Sequence, residues 1–201
     1  MNESSEANDL AIRRQIIDET QCVVVKVGTR VLTTSDGKLD LDRVDRLAEQ
    51  LCRIADTGRQ TIMVSSGAVG AGVAKLGLPQ RPTDLKSLQA IAAIGQADLI
   101  GAYEKSLQKR GRHAAQVLLT RNDLRRRSGY LHVRNALNGI DELGAIAVVN
   151  ENDSVAVSEL KTTFGDNDRL AAQVAGLFND VMLILLTDVS ALYDGHPDEK
   201  D

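Results

Sequence analysis

The chain has 201 residues, 43% of them hydrophobic and 26% charged, the make-up of a folded α/β domain with a sizeable core. Aromatics are only 2% and Trp is absent, so Val, Ile, Leu and Ala build the core, which disfavours an aromatic-rich sandwich or a base-stacking module. A net charge of -4 argues against general affinity for nucleic acid or an anionic membrane; the basic cluster Arg125-Arg126-Arg127 is the local exception and reads first as a solvated face.

Cys22 and Cys52 sit in no CxxC or Cys/His cluster and read as small apolar fillers in a reducing compartment. The polar, acidic first twenty residues hold no apolar run suited to export, and no stretch of about 18 apolar residues could span a bilayer. The expectation is a cytoplasmic protein.

In chain order, residues 1–20 read as a flexible leader, with disorder over Met1 to Asn8 and a short helix from Leu10 to Thr20. Cys22 to Val27 is a β-branched run, as a strand covered on both faces requires. A turn-rich Thr33 to Lys38 precedes a helix with the stripe Val44, Leu47, Leu51 and Ile54, stopped by Gly58. Thr61 to Val64 is a second strand, leading through Ser65-Ser66-Gly67 into a small-residue helix ending near Leu76. A long Ala-rich helix, with a break expected at Gly95 or Gly101, covers Leu85 to Lys109. Then come a strand at His113 to Leu119, a helix at Leu131 to Leu143 and a strand at Ala145 to Val149. A helix at Asp168 to Phe178 and a strand at Val181 to Leu186 complete the pattern.

Such alternation predicts a mainly parallel sheet with right-handed crossovers, flanked by helices. Ligands of these sheets bind outside the carboxyl ends of the strands. Gly28-Thr29, Ser65-Ser66-Gly67, Asn150-Glu151-Asn152-Asp153 and Thr187-Asp188 should therefore converge on one rim. Gly165-Asp166-Asn167-Asp168 opens a helix and could join them.

A Lys inside a Val run, Lys26, is costly unless its ammonium meets an anion, although it could also snorkel out at the strand end. Gly28 after it would let backbone N–H groups approach phosphate oxygens. Ser65-Ser66-Gly67-Ala68, with Gly70 and Gly72, reads either as an anion site at a helix start or as tight helix–sheet packing. The carboxylates and amides of residues 150–153 and 166–168 suit an ammonium, a magnesium–phosphate or a lysine needing orientation. A solvated turn and a helix cap are the plainer alternatives. His113, His132 and His196 form no triad or metal cluster in the sequence, which disfavours serine-type acyl transfer and zinc hydrolysis. A carboxylate nucleophile, ionised above its pKa of about 4.3, needs no base. Phosphoryl transfer to it needs positioning and charge neutralisation, which this inventory can supply.

KVGTRVLT (Lys26 to Thr33), VSSGAVGAG (Val64 to Gly72), LLTR (Leu118 to Arg121), VVNENDSVA (Val148 to Ala156), FGDNDRLAA (Phe164 to Ala172) and LLTDVSALYDGHP (Leu185 to Pro197) run in order along the chain. Together they resemble the glutamate 5-kinase family of the amino-acid kinase superfamily. Acetylglutamate kinase, aspartokinase and uridylate kinase are disfavoured by NEND followed by GDND. The resemblance implies an amino-acid kinase domain over residues 21–201, with the family's αβα fold. It implies ATP and Mg2+, L-glutamate phosphorylated on its side chain in the first step of proline biosynthesis, and a homo-oligomer.

By motif, Lys26 and Asp168 would be catalytic, with Asp168 orienting the lysine. Ser66, Asp153 and Asn167 would bind glutamate, and Lys26, Gly28, Thr29, Thr187 and Asp188 the nucleotide. No protein ligand for a metal is implied. Residues 121–134 correspond to a loop linked in the family to feedback inhibition by L-proline. The family continues past His196-Pro197 with a second phosphate-binding lysine, and many members add a PUA domain. The chain is therefore expected to lack the carboxyl-terminal part of the kinase domain. The alternative is a shortened, inactive relative that binds glutamate or proline.

Overall fold

The computed structural model describes residues 3–34, 37–155 and 166–187. Helix α1 (Glu3–Glu19) starts within the stretch where disorder is expected. Then follow β1 (Cys22–Val27), the one-turn α2 (Thr29–Leu32), α3 (Leu41–Ala55), β2 (Gln60–Ser65), α4 (Ala68–Lys75) and α5 (Leu85–Gln108). β3 (Ala114–Leu119), α6 (Arg121–Arg125), α7 (Arg127–Glu142), β4 (Ile146–Glu151), α8 (Asp166–Ala175) and β5 (Val181–Leu186) complete the described elements.

The strands form one parallel sheet in the order β3-β4-β2-β1-β5, with β1 paired to β2 on one side and β5 on the other. Alternate residues feed two separate cores. Val23, Val25, Val27, Met63, Ile146 and Val148 pack under α3 and α5 with Val44, Leu51, Leu99 and Tyr103. Cys22, Val24, Ile62, Val64, Ala147 and Val149 pack under α7 and α8 with Val133, Leu137, Leu170 and Val174. Burial on both faces explains why β1 reads as a continuous Val run. Each such side chain contributes about 1.5–3 kcal/mol of transfer free energy. By the same alternation, Lys26 belongs to the α8 face.

Helices α3 and α5 begin with side-chain caps. Asp40 accepts from the Arg43 backbone N–H at 3.0 Å, and Asp84 from that of Ser87 at 2.9 Å. Arg110 grips Asp45 with two bonds, at 3.1 and 2.9 Å, and Lys109 adds a third at 2.8 Å, tying the end of α5 to α3. Those bonds, Arg110's first, hold the Asp45 carboxyl well below the usual carboxylate range. Burial, helped by the charge of Asp141, pushes the Cys22 thiol up to about 12.

Four further features depart from the sequence reading. α5 is unbroken: Gly95 sits where α4 crosses, and a Cβ there would run into the Ala68 carbonyl and the backbone of Gly72. Gly101 faces open space. β4 continues to Glu151, so Asn150 and Glu151 are strand residues at 1% and 7% exposure rather than a solvated turn. Two short helices add to the expected pattern. α2 is held by Arg43, which donates to the carbonyls of Arg30, Val31 and Thr33. α6 is closed by a capping box between Thr120 and Asp123. Arg125, Arg126 and Arg127 lie exposed at the junction of α6 and α7.

Candidate active site

The strand register puts Val27, Ser65 and Leu186 level with one another. Gly28, Ser66 and Thr187, each the next residue, thus begin three loops at one height on the carboxyl rim. β4 reaches the same rim through Asn150 and Glu151, since Val149 pairs with Val64. α8 starts above it.

On the α8 face, Lys26 Nζ lies 2.7 Å from Oδ1 of Asp168, with the lysine side chain 12% exposed and the aspartate 47%. The contact is an ion pair rather than an aligned hydrogen bond: Asp168 Oδ1 is buried and has no donor in line among the described residues. A Cβ on Gly28 would stand 3.4 Å from Lys26 Nζ and 3.8 Å from the Leu186 carbonyl oxygen. Glycine therefore keeps the flank of the ammonium open, which a larger side chain would fill. Among the described residues, the burial cost of the charge is met by the Asp168 carboxylate.

A second set of contacts joins β2, β4, α5 and α8. Asn167 Nδ2 donates to Ser66 Oγ at 2.6 Å and to Asn150 Oδ1 at 3.2 Å. Asn150 Nδ2 donates to Gln96 Oε1 at 2.9 Å, and the Glu151 backbone N–H donates to Asn150 Oδ1 at 2.9 Å. One layer below, Ser65 Oγ and the Tyr103 hydroxyl share a bond of 3.1 Å, and burial pushes the Tyr103 phenol up from its ordinary value. Ser66 leads into Gly67, whose φ of 112° lies in the left-handed region that glycine tolerates. Among the described residues no side chain caps α4, which leaves its first N–H groups without a side-chain acceptor.

The structure thus brings Lys26 together with Asp168 and Gly28, and Ser66 together with Asn167. Asp153 stands half-buried in the turn after β4, while Thr29 and Thr187 are exposed just beyond β1 and β5. Asp188 lies outside the described residues. Gly72 has the packing role: a Cβ there would strike the Ile91 carbonyl of α5. Gln96 and Tyr103 carry no motif that singles them out in the sequence. For Gln96 a signal exists, since a lone amide falls on the buried face of α5 with Leu88, Ala92 and Leu99. A separate concavity of about 520 Å³ between α1, α3 and β5, lined by Ile17, Ile54, Met182 and Ile184, lies away from this rim.

Residues 21–201 match the model of the Amino acid kinase family. The chain belongs to that family. Among its curated relatives, a glutamate 5-kinase of Rhodopirellula baltica is 99% identical over the whole chain, which covers 52% of that relative. Glutamate 5-kinases of Streptomyces coelicolor and Thermobifida fusca are each 48% identical, over 94% and 92% of the chain and 50% and 47% of their own lengths. The chain spans about half the length of the curated relatives it matches. For an amino acid kinase, the rim offers a cation at a strand end, a glycine beside it and a serine–amide cluster one strand away. That is an arrangement able to hold a phosphoryl group next to a small polar substrate.

Proposed function

We propose that this chain supplies the amino-terminal part of an ATP-dependent kinase that phosphorylates the side-chain carboxylate of L-glutamate. The product is L-glutamate 5-phosphate, and the step is the first of proline biosynthesis, in the cytoplasm. The single observation that carries the proposal is the Lys26 ammonium, held by Asp168 with its flank open beside Gly28. There it would neutralise charge on the transferring phosphoryl oxygens, the main demand of this chemistry.

Asp168 holds the lysine in place. Ser66, Asn167 and Asp153 would bind glutamate. The Asn167 Oδ1, buried and without a partner among the described residues, suits a free ammonium better than an acylated nitrogen. Gly28, Thr29, Thr187 and Asp188 would contact the nucleotide. Among the described residues no cluster of three or more His, Cys, Asp or Glu could hold a metal ion, so Mg2+ would arrive on the phosphates of ATP. No helix of the described residues is long and apolar enough to cross a membrane. Feedback by L-proline through residues 121–134 and a homo-oligomeric state are part of the same reading.

The test is hydroxylamine trapping of the acyl phosphate, using the chain extended to the length of its relatives. Glutamate should give hydroxamate, while aspartate and N-acetylglutamate give little. Preference for N-acetylglutamate would move the protein to another branch of the family.

A further inference from the structure

We propose that Gln96 is a positioning residue for the amino-acid substrate, acting through Asn150 to fix which face the Asn167 amide turns to the site. The inference rests on the proposed reading of Asn167 as a ligand for a substrate ammonium.

The argument starts from a backbone N–H, which can only donate. The Glu151 N–H points at the Asn150 side chain from 2.9 Å, so the atom it meets is Oδ1. Asn150 must then present Nδ2 to α5, where Gln96 Oε1 accepts it at 2.9 Å. On its other side Asn150 Oδ1 takes Nδ2 of Asn167 at 3.2 Å, and that same Nδ2 reaches Ser66 Oγ at 2.6 Å. The three amides therefore all point one way. Among the described residues an acceptor without a partner, Asn167 Oδ1, is left at the proposed substrate end, and a donor without a partner, Gln96 Nε2, at the helix end.

That free donor tells a structural residue from a positioning one. Gln96 is 8% exposed, and its Nε2 has no partner among the described residues. A side chain kept only to fill the α5–sheet contact would be apolar, as Ala92 and Leu99 are on the same face. Buried donors are rarely stranded. Here the stranded nitrogen follows from using the oxygen. The Glu151 N–H selects the orientation of the Asn150 amide and Gln96 holds its other end, so together they leave Asn167 one orientation rather than two. Turned the other way, Asn167 would offer an NH2 to the substrate ammonium and repel it.

The experiment is steady-state kinetics and melting curves on the chain extended to its relatives' length, with Gln96→Met and Gln96→Glu. Methionine keeps length and volume but removes the acceptor. Glutamate offers an oxygen to Asn150 in either protonation state. Gln96→Met should raise the KM for glutamate about tenfold, the scale of one lost hydrogen bond, with kcat and the KM for ATP changed far less. Gln96→Glu should recover most of the loss, to within about threefold of the parent. An unchanged glutamate KM in Gln96→Met would overturn the proposal. So would an equal rise in both KM values, or no recovery in Gln96→Glu. A parent protein that forms no hydroxamate from glutamate would instead overturn the reading of the reaction, and the ammonium role of Asn167 with it.

Discussion

The Lys26 ammonium rests 2.7 Å from Oδ1 of Asp168, joining the end of the first strand to the first turn of the last described helix. On the proposed reading, and in the chain extended to its relatives' length, replacing Lys26 by alanine should lower kcat by about 10²–10³, or about 2.7–4 kcal/mol, with a smaller effect on glutamate KM. Lys26→Arg should rescue poorly, because a planar guanidinium does not fit the space beside Gly28 that a compact ammonium occupies. Asp168 is half-exposed, so losing its partner should cost about 1 kcal/mol or less of stability. Steady-state kinetics with a melting curve decides between the roles. Normal kcat with a collapsed Tm would make Lys26 structural.

Two glycines of α5 should respond in opposite directions. Gly95→Ala drives a methyl into the Ala68 carbonyl and the Gly72 backbone, and should destabilise by about 1–3 kcal/mol. Gly101 faces open space in the same helix, so Gly101→Ala should stabilise by about 0.5–1 kcal/mol. Urea melts of the two variants measure both. If they shift together, the crossing of α4 and α5 is not as tight as described.

Cys22 makes a prediction about alkaline pH. Its thiol ionises near 9.0 in an open chain and near 12 in the fold, so above 9.0 the unfolded state gains by losing a proton that the folded state keeps. Stability should be fully present below that point and fall steadily towards pH 12. Cys22→Ala should flatten this part of the pH–stability curve. In native buffer a thiol reagent should label Cys22 only at the rate of unfolding, and prompt labelling would contradict its burial.

Asp45 works in the other direction. Its carboxyl is held below the ordinary 3.8 by Arg110 and Lys109, so its contribution is present above that value and is lost as pH falls below it. Asp45→Asn should lower Tm at neutral pH, and the gap from the parent should narrow as the buffer is taken below pH 3.8. A gap independent of pH would assign the effect to packing.

Residues whose physics is local are legible in the sequence alone. The Val run around Lys26 declares a strand covered on both sides, and the polar segments that follow the strands mark the rim. What stays hidden there depends on partners far along the chain. Nothing near Gln96 tells that its oxygen meets Asn150, and Gly95 reads as a helix breaker until α4 is laid across it. The corner between α6 and α7 is of the same kind: a Cβ on Gly129 would collide with the Asp123 carbonyl, a reason for glycine that sequence spacing does not display. Asn150 and Glu151 look like turn residues by composition. They are buried because neighbouring strands and α5 claim them.

The position of β1 between β2 and β5 has a consequence for synthesis on the ribosome. One flank of β1 can pair as soon as β2 emerges, but the other waits for β5, the last described strand to be made. At roughly 5–20 residues per second, that wait is on the order of ten seconds. Throughout it the nascent chain carries a Val-rich strand with an open edge and a Lys26 that has not yet met Asp168. Chaperones that shield apolar edges should therefore engage this protein during translation more than after release.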